Sequence, residues 1–122
     1  MNRNNNTRAK GDMAEEYVAE IFRSRGYRLL VRNYGIHNVG EIDSVFVDKD
    51  TVYIVEVRAR VVSEGYPTPA ESVTGSKRRK IMKTVRYLVR DFDLYDRNIY
   101  FLVGQVTLDR RGLVQNVEFI PF

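Results

Sequence analysis

Apolar side chains recur at helical spacing over residues 9–25, where Ala14, Tyr17, Val18, Ile21 and Phe22 form one stripe. Gly26 supplies a stop for that helix. Asp12 and Glu15 have the spacing of a capping box, should the helix begin there rather than earlier. Residues 27–34, with Leu29, Leu30 and Val31, predict a short strand, and residues 35–40 a loop. Residues 41–47 alternate in part and end in β-branched and apolar side chains, which predicts a second strand. Asp48-Lys49-Asp50-Thr51 has the composition of a turn. The strongest strand pattern spans residues 52–62. Tyr53, Val55, Val57, Ala59 and Val61 take one face there, and Val52, Ile54, Glu56, Arg58 and Arg60 the other. A loop with Gly65, Pro67 and Pro69 follows over residues 63–69. The next helix carries Ile81, Met82, Val85, Leu88 and Val89 as its apolar stripe, with Ser76 as the expected N-cap. Residues 98–108 and 113–120 predict strands joined by Asp109-Arg110-Arg111-Gly112, with Gly112 in a left-handed position. The order predicts a mixed α/β domain, a central sheet with helices against it.

The chain has 122 residues, 43% of them apolar, which suits one core. We read residues 9–122 as a single domain behind a polar, Asn-rich tail, residues 1–8. There is no cysteine and a single histidine, His37, which excludes disulfides and thiolate metal sites and argues against a histidine-based zinc site. His37 is assigned no role. No apolar run is long enough to span a membrane. The N-terminus lacks the apolar stretch of a secretory signal, so a cytoplasmic location is expected.

Charge changes the picture more than composition does. Twenty Lys and Arg face sixteen Asp and Glu, a net charge of only +4. Yet residues 77–90 hold Lys77, Arg78, Arg79, Lys80, Lys83, Arg86 and Arg90 with no acid among them. Arg79, Lys83, Arg86 and Arg90 are three or four residues apart and share a helix face. Most charged helix faces simply meet solvent, but like charges without partners repel. A phosphate backbone would compensate them, with strong salt dependence. Nucleic acid is therefore the expected partner. Tyr66 is a candidate for stacking on a base, beside the plainer role of loop packing.

The candidate chemistry lies on two neighbouring strands. If the turn at residues 48–51 closes a symmetric hairpin, Val47 faces Val52, Asp43 faces Glu56 and Glu41 faces Arg58. Two carboxylates opposite each other in a sheet repel. A divalent cation would relieve that repulsion, and Mg²⁺ or Mn²⁺ prefers carboxylate oxygens. Such an ion can activate water and steady charge on a phosphodiester. Glu15, on the first helix, is a candidate auxiliary acid. The plainer alternatives are solvated acids, an N-terminal cap at Glu15 and an ordinary ion pair between Glu41 and Arg58.

Gly11-Asp12-Met13-Ala14-Glu15, Gly26-Tyr27, Arg32-Asn33-Tyr34, Gly40-Glu41-Ile42-Asp43, Val55-Glu56-Val57-Arg58-Ala59-Arg60 and Ser76-Lys77-Arg78-Arg79 follow one another in a specific order. In this the chain resembles the YraN-like family of small bacterial proteins. That family is similar to the PD-(D/E)XK superfamily, restriction-endonuclease-like and close to Holliday-junction resolvases. The resemblance covers residues 8–88. It implies a restriction-endonuclease-like α/β fold with Asp43 and Glu56 as ligands of Mg²⁺ or Mn²⁺ and Glu15 as the auxiliary acid. It places Arg58 where the family has its catalytic lysine, and it implies phosphate contacts at Arg60 and Lys77. Tyr100-Phe101-Leu102 stands where the family tends to carry Arg-Phe-Asp.

Arginine keeps the positive charge and can grip a phosphate through two hydrogen bonds, but it does not lose its proton in proteins. The sequence therefore leaves two functional readings open. One is a metal-dependent, structure-selective DNA endonuclease with Glu15, Asp43, Glu56 and Arg58 in its active site. DNA would be held by Arg58, Arg60, Lys77, Arg78, Arg79, Lys80 and Lys83. The other is a catalytically silent nucleic-acid-binding module on the same fold. A third reading, a scaffold that pairs through residues 98–108 as an edge strand, would include homodimerisation.

Overall fold

The computed structural model describes residues 3–62 and 73–122. Helix α1 (Arg3–Ser24) leads into strands β1 (Arg28–Ile36), β2 (Gly40–Val47) and β3 (Thr51–Val61). Helix α2 (Gly75–Phe92) then precedes strands β4 (Asn98–Leu108) and β5 (Val114–Pro121). The strands form one five-stranded sheet in the order β1-β2-β3-β4-β5. The β1–β2, β2–β3 and β4–β5 pairs are antiparallel, and β3–β4 is parallel. A parallel pair needs a long crossover, and α2 lies within it. This is the α/β fold expected from the pattern, consistent with a restriction-endonuclease-like domain.

Strand alternation sorts the core onto two faces. Val52 and Ile54 of β3 pack with Ile42, Val45 and Val47 of β2 against Ile81, Val85 and Leu88 of α2. On the other face Phe46, Val55, Val106 and Leu108 pack against Ala14, Val18, Ala19 and Phe22 of α1. The Phe46 and Phe22 rings stack with centroids 4.3 Å apart. Phe46 is fully buried, and truncating such a side chain to Ala costs about 3–5 kcal/mol. The helices thus cover opposite faces, and Glu56, in step with Val52 and Ile54, points toward α2.

The turns follow their local chemistry. Gly26 adopts φ +90°. Its N–H donates to the Arg23 carbonyl and the Tyr27 N–H to that of Phe22, both at 3.0 Å, which ends α1 in a Schellman motif. The Asp48 carboxylate accepts from the N–H groups of Asp50 and Thr51 at 2.9 and 2.8 Å and closes the β2–β3 turn. Gly112 takes the expected left-handed conformation, φ +84°.

Several expectations are corrected. Helix α1 begins at Arg3, so residues 3–8 are helical rather than tail. The Asn-rich segment lacks the apolar spacing that would reveal this. Asp12 and Glu15 consequently lie inside the helix and do not cap it. The N-cap of α2 is Thr74, not Ser76: the Thr74 hydroxyl accepts from the Lys77 N–H at 3.1 Å. Strand β1 runs on to Ile36, which shortens the expected loop. Strand β4 is no edge, because it pairs with β3 on one side and β5 on the other. Its backbone is not open for pairing with a scaffold partner. The expected loop at residues 63–69, including Tyr66, lies outside the described residues.

Candidate active site

The β2–β3 ladder runs from Val47–Val52 to Ser44–Val55 and ends there. One step further, in the same register, Asp43 stands opposite Glu56. At this step side chains take over from the backbone. The Asp43 N–H donates to Glu56 Oε2 at 3.1 Å, and the Val57 N–H donates to Asp43 Oδ2 at 2.9 Å. Each carboxylate is thereby fixed by the opposite strand. The expected Asp43–Glu56 opposition is present, but the expected Glu41–Arg58 pair lies beyond the end of the ladder. Ile42 and Val45, three residues apart, both join the core beneath α2. Strict alternation therefore breaks between them, where Asp43 sits.

Glu56 is 1% exposed. Burial is the main cause of a carboxyl pKa raised above the ordinary value, and the neighbouring Asp43 is the next. The Asp43 N–H and the Lys77 ammonium pull the other way without prevailing. Lys77 Nζ lies 3.3 Å from Glu56 Oε1. The lysine reaches the acid from the first turn of α2, where the Thr74 cap fixes its backbone.

Glu15 approaches from α1 and is half-buried. Its pKa is raised by burial first and by Asp43 second, with Asp12 and Glu41 adding to the rise and Arg32 opposing it. Among the described residues no three Asp, Glu or His side chains converge as a ready ion cage. Glu15 is a flanking acid beside the Asp43–Glu56 pair. The donor chemistry nonetheless suits a hard cation. Each of Asp43 and Glu56 commits one oxygen to a backbone N–H and has a second oxygen beyond it. Mg²⁺ is commonly held by one or two carboxylates and keeps several waters, and Mn²⁺ shares the preference for oxygen.

Asp43 and Glu56 line a cleft of about 450 Å³ with Glu41, Thr74, Lys77 and Lys80. A second cleft, of about 510 Å³, shares Gly40, Glu41 and Lys80 and is walled by the β1–β2 turn, including His37 and Asn38. A third, of about 350 Å³, continues with Val39, Lys83, Arg86, Tyr87 and Arg90. Together they follow α2 from Lys77 to Arg90, about 20 Å at 1.5 Å rise per residue. Gly40 permits this closeness. A Cβ there would lie 2.6 Å from Thr84 Oγ1 and 3.1 Å from the Lys80 carbonyl oxygen.

The remaining residues singled out from the sequence are distributed unevenly. Arg58 and Arg60 are half-buried on β3, level with Gln105 and Thr107 of β4, and by alternation share the Glu56 face. Arg78 and Arg79 are exposed on α2 and line none of the three clefts. Sequence reasoning assigned Lys77 only to phosphate contact and missed its pairing with Glu56. It also missed Gly40 and Thr74. The available signals were a glycine directly before Glu41-Ile42-Asp43 and a threonine three residues before Lys77.

The model of the uncharacterised protein family UPF0102 matches residues 14–104, a span that holds Glu15, Asp43, Glu56 and the whole of α2. The chain belongs to this family. A UPF0102 protein of Moorella thermoacetica is 37% identical over 113 residues, covering 93% of this chain and 92% of the relative. One of Persephonella marina is 39% identical over 92 residues, covering 75% and 78%. One of Dictyoglomus turgidum is 32% identical over 116 residues, covering 95% and 97%. The family match spans β2, β3 and α2, the elements that line the cleft. These matches agree with the family resemblance drawn from the ordered motifs.

Proposed function

We propose that the chain is a Mg²⁺- or Mn²⁺-dependent, structure-selective DNA endonuclease that hydrolyses phosphodiester bonds. The observation that carries this reading is the opposed Asp43–Glu56 pair at the head of a basic cleft. Asp43 and Glu56 would hold the ion, which would supply positive charge at the scissile phosphate. Lys80, Lys83, Arg86 and Arg90 receive phosphates along α2, and Arg58 and Arg60 bind phosphates next to the acids. Glu15 adds negative charge beside Asp43 and would help orient water there. The family resemblance supports the same roles for Glu15, Asp43 and Glu56. No described helix is long and apolar enough to cross a membrane. Cytoplasmic work on DNA, with two copies meeting on a branched substrate, belongs to the same proposal.

One observation favours a second reading, a nucleic-acid-binding module without chemistry. Arg58 occupies the position of the family's lysine and cannot act as a base. The two readings separate in a cleavage assay on labelled branched and linear DNA, with Mg²⁺ or Mn²⁺ and with chelator. Metal-dependent cleavage that Asp43→Asn abolishes supports the nuclease. Salt-sensitive binding with no cleavage under either metal supports the silent module.

A further inference from the structure

Glu56 is almost wholly withdrawn from solvent, yet it is held by a lysine from another element. Of its two oxygens, Oε2 accepts the Asp43 N–H at 3.1 Å and Oε1 faces Lys77 Nζ at 3.3 Å. The oxygen that a cation would use is the one the ammonium engages. Lys77 is poorly placed for helix stability, because a cation in the first turn opposes the helix dipole. Helix α2 has no acid in that turn to offset it. The Lys77 backbone is fixed, since its N–H donates to the Thr74 hydroxyl at 3.1 Å. Its side chain is 36% exposed, against 2% for Glu56, and so has a route into the cleft.

We propose that Lys77 is a resident counter-ion that occupies the cation's place at Glu56 until a divalent ion displaces it. This rests on the reading of Asp43 and Glu56 as metal ligands. Two positive groups cannot share one buried carboxylate oxygen without strong repulsion. Entry of the ion therefore requires Lys77 to leave Glu56 and turn toward the cleft, where phosphate oxygens would receive it. The lysine keeps the acid pair from standing uncompensated before the ion arrives, and it moves positive charge onto the DNA side afterwards. Apparent cation affinity is then reduced by the fraction of molecules in which Lys77 holds Glu56.

The test is calorimetric titration of MnCl₂ into the full chain at pH 8, without DNA, for the native protein, Lys77→Met and Lys77→Gln. Glu56→Gln serves as the control, and circular dichroism checks that each variant is folded. If Lys77 holds Glu56 in about nine molecules of ten, both lysine variants bind Mn²⁺ about tenfold more tightly than the native chain. Binding by the variants alone also supports the proposal. Equal or weaker binding by both variants, with the native chain still binding, overturns the counter-ion role and leaves the metal site standing. Absence of binding in every protein overturns both.

Discussion

Asp43 and Glu56 hold each other's strands: the Asp43 N–H donates to the Glu56 carboxylate, and the Asp43 carboxylate accepts the N–H of Val57, the residue after Glu56. The pair sits where the β2–β3 ladder stops. Two acids thus replace a rung of backbone hydrogen bonds, in a place where like charges repel.

Asp43→Asn keeps an acceptor for the Val57 N–H and removes the charge. It is expected to abolish cleavage with little loss of stability. Asp43→Ala leaves that N–H unpaired in a half-buried place and costs a further ~1–3 kcal/mol. Urea denaturation of the two variants checks the difference. Equal stability of the two would mean that the hydrogen bond contributes nothing.

Glu56 gives a pH signature. Its folded pKa lies above the ordinary 4.5, mainly through burial and next through Asp43. A carboxyl raised in this way contributes stability that is fully present below its unfolded pKa. That contribution is lost as pH rises through the folded value. The stability of the native chain relative to Glu56→Gln should therefore fall from about pH 4.5 upward. Glu15 has the same direction of shift but is present in both proteins, so it drops out of the difference. Denaturation curves between pH 4 and pH 8 test this, and a flat difference would contradict it.

Gly40 sets the distance between β2 and α2. Gly40→Ala places a methyl group 2.6 Å from Thr84 Oγ1, which itself donates to the Lys80 carbonyl oxygen at 2.8 Å. The helix must shift, at a cost of about 1–3 kcal/mol. Thr74→Ala removes the cap at the other end of the same contact and costs about 1 kcal/mol. Thermal melts measure both. A Gly40→Ala protein as stable as the native chain would show that the close approach is not required.

The basic track predicts salt dependence. If Lys83 and Arg86 each contact a phosphate, the double variant Lys83→Ala/Arg86→Ala lowers the slope of log affinity against log salt by about 2 for duplex DNA. Arg79→Ala, on an exposed part of α2 outside the clefts, should leave that slope nearly unchanged. Fluorescence anisotropy over a salt series measures both. An equal loss from Arg79→Ala would mean that DNA does not follow the cleft.

Much of the acid pair was legible because its causes are local. The β2–β3 turn is short and symmetric, and counting pairs outward from Val47–Val52 reaches Asp43 and Glu56 in the same register. The two faces of β3 followed from period-two alternation. Lys77 was not legible in its full role, because nothing near it in sequence reveals that its side chain reaches Glu56 on β3. The internal position of β4 depends on which strands pair at long range, and an apolar strand reads alike at an edge or inside. Ser76 and Thr74 are both good capping residues two positions apart, so composition did not separate them. The start of α1 was hidden because residues 3–8 are helical without an apolar stripe.

The most direct test is cleavage of labelled branched and linear DNA in Mn²⁺ by the native chain and by Asp43→Asn, at protein concentrations that give equal DNA occupancy. Products formed by the native chain, lost in the variant and lost with chelator, are the predicted result. Bound but intact DNA in both proteins would contradict a nuclease and leave a nucleic-acid-binding module whose acids serve only the fold.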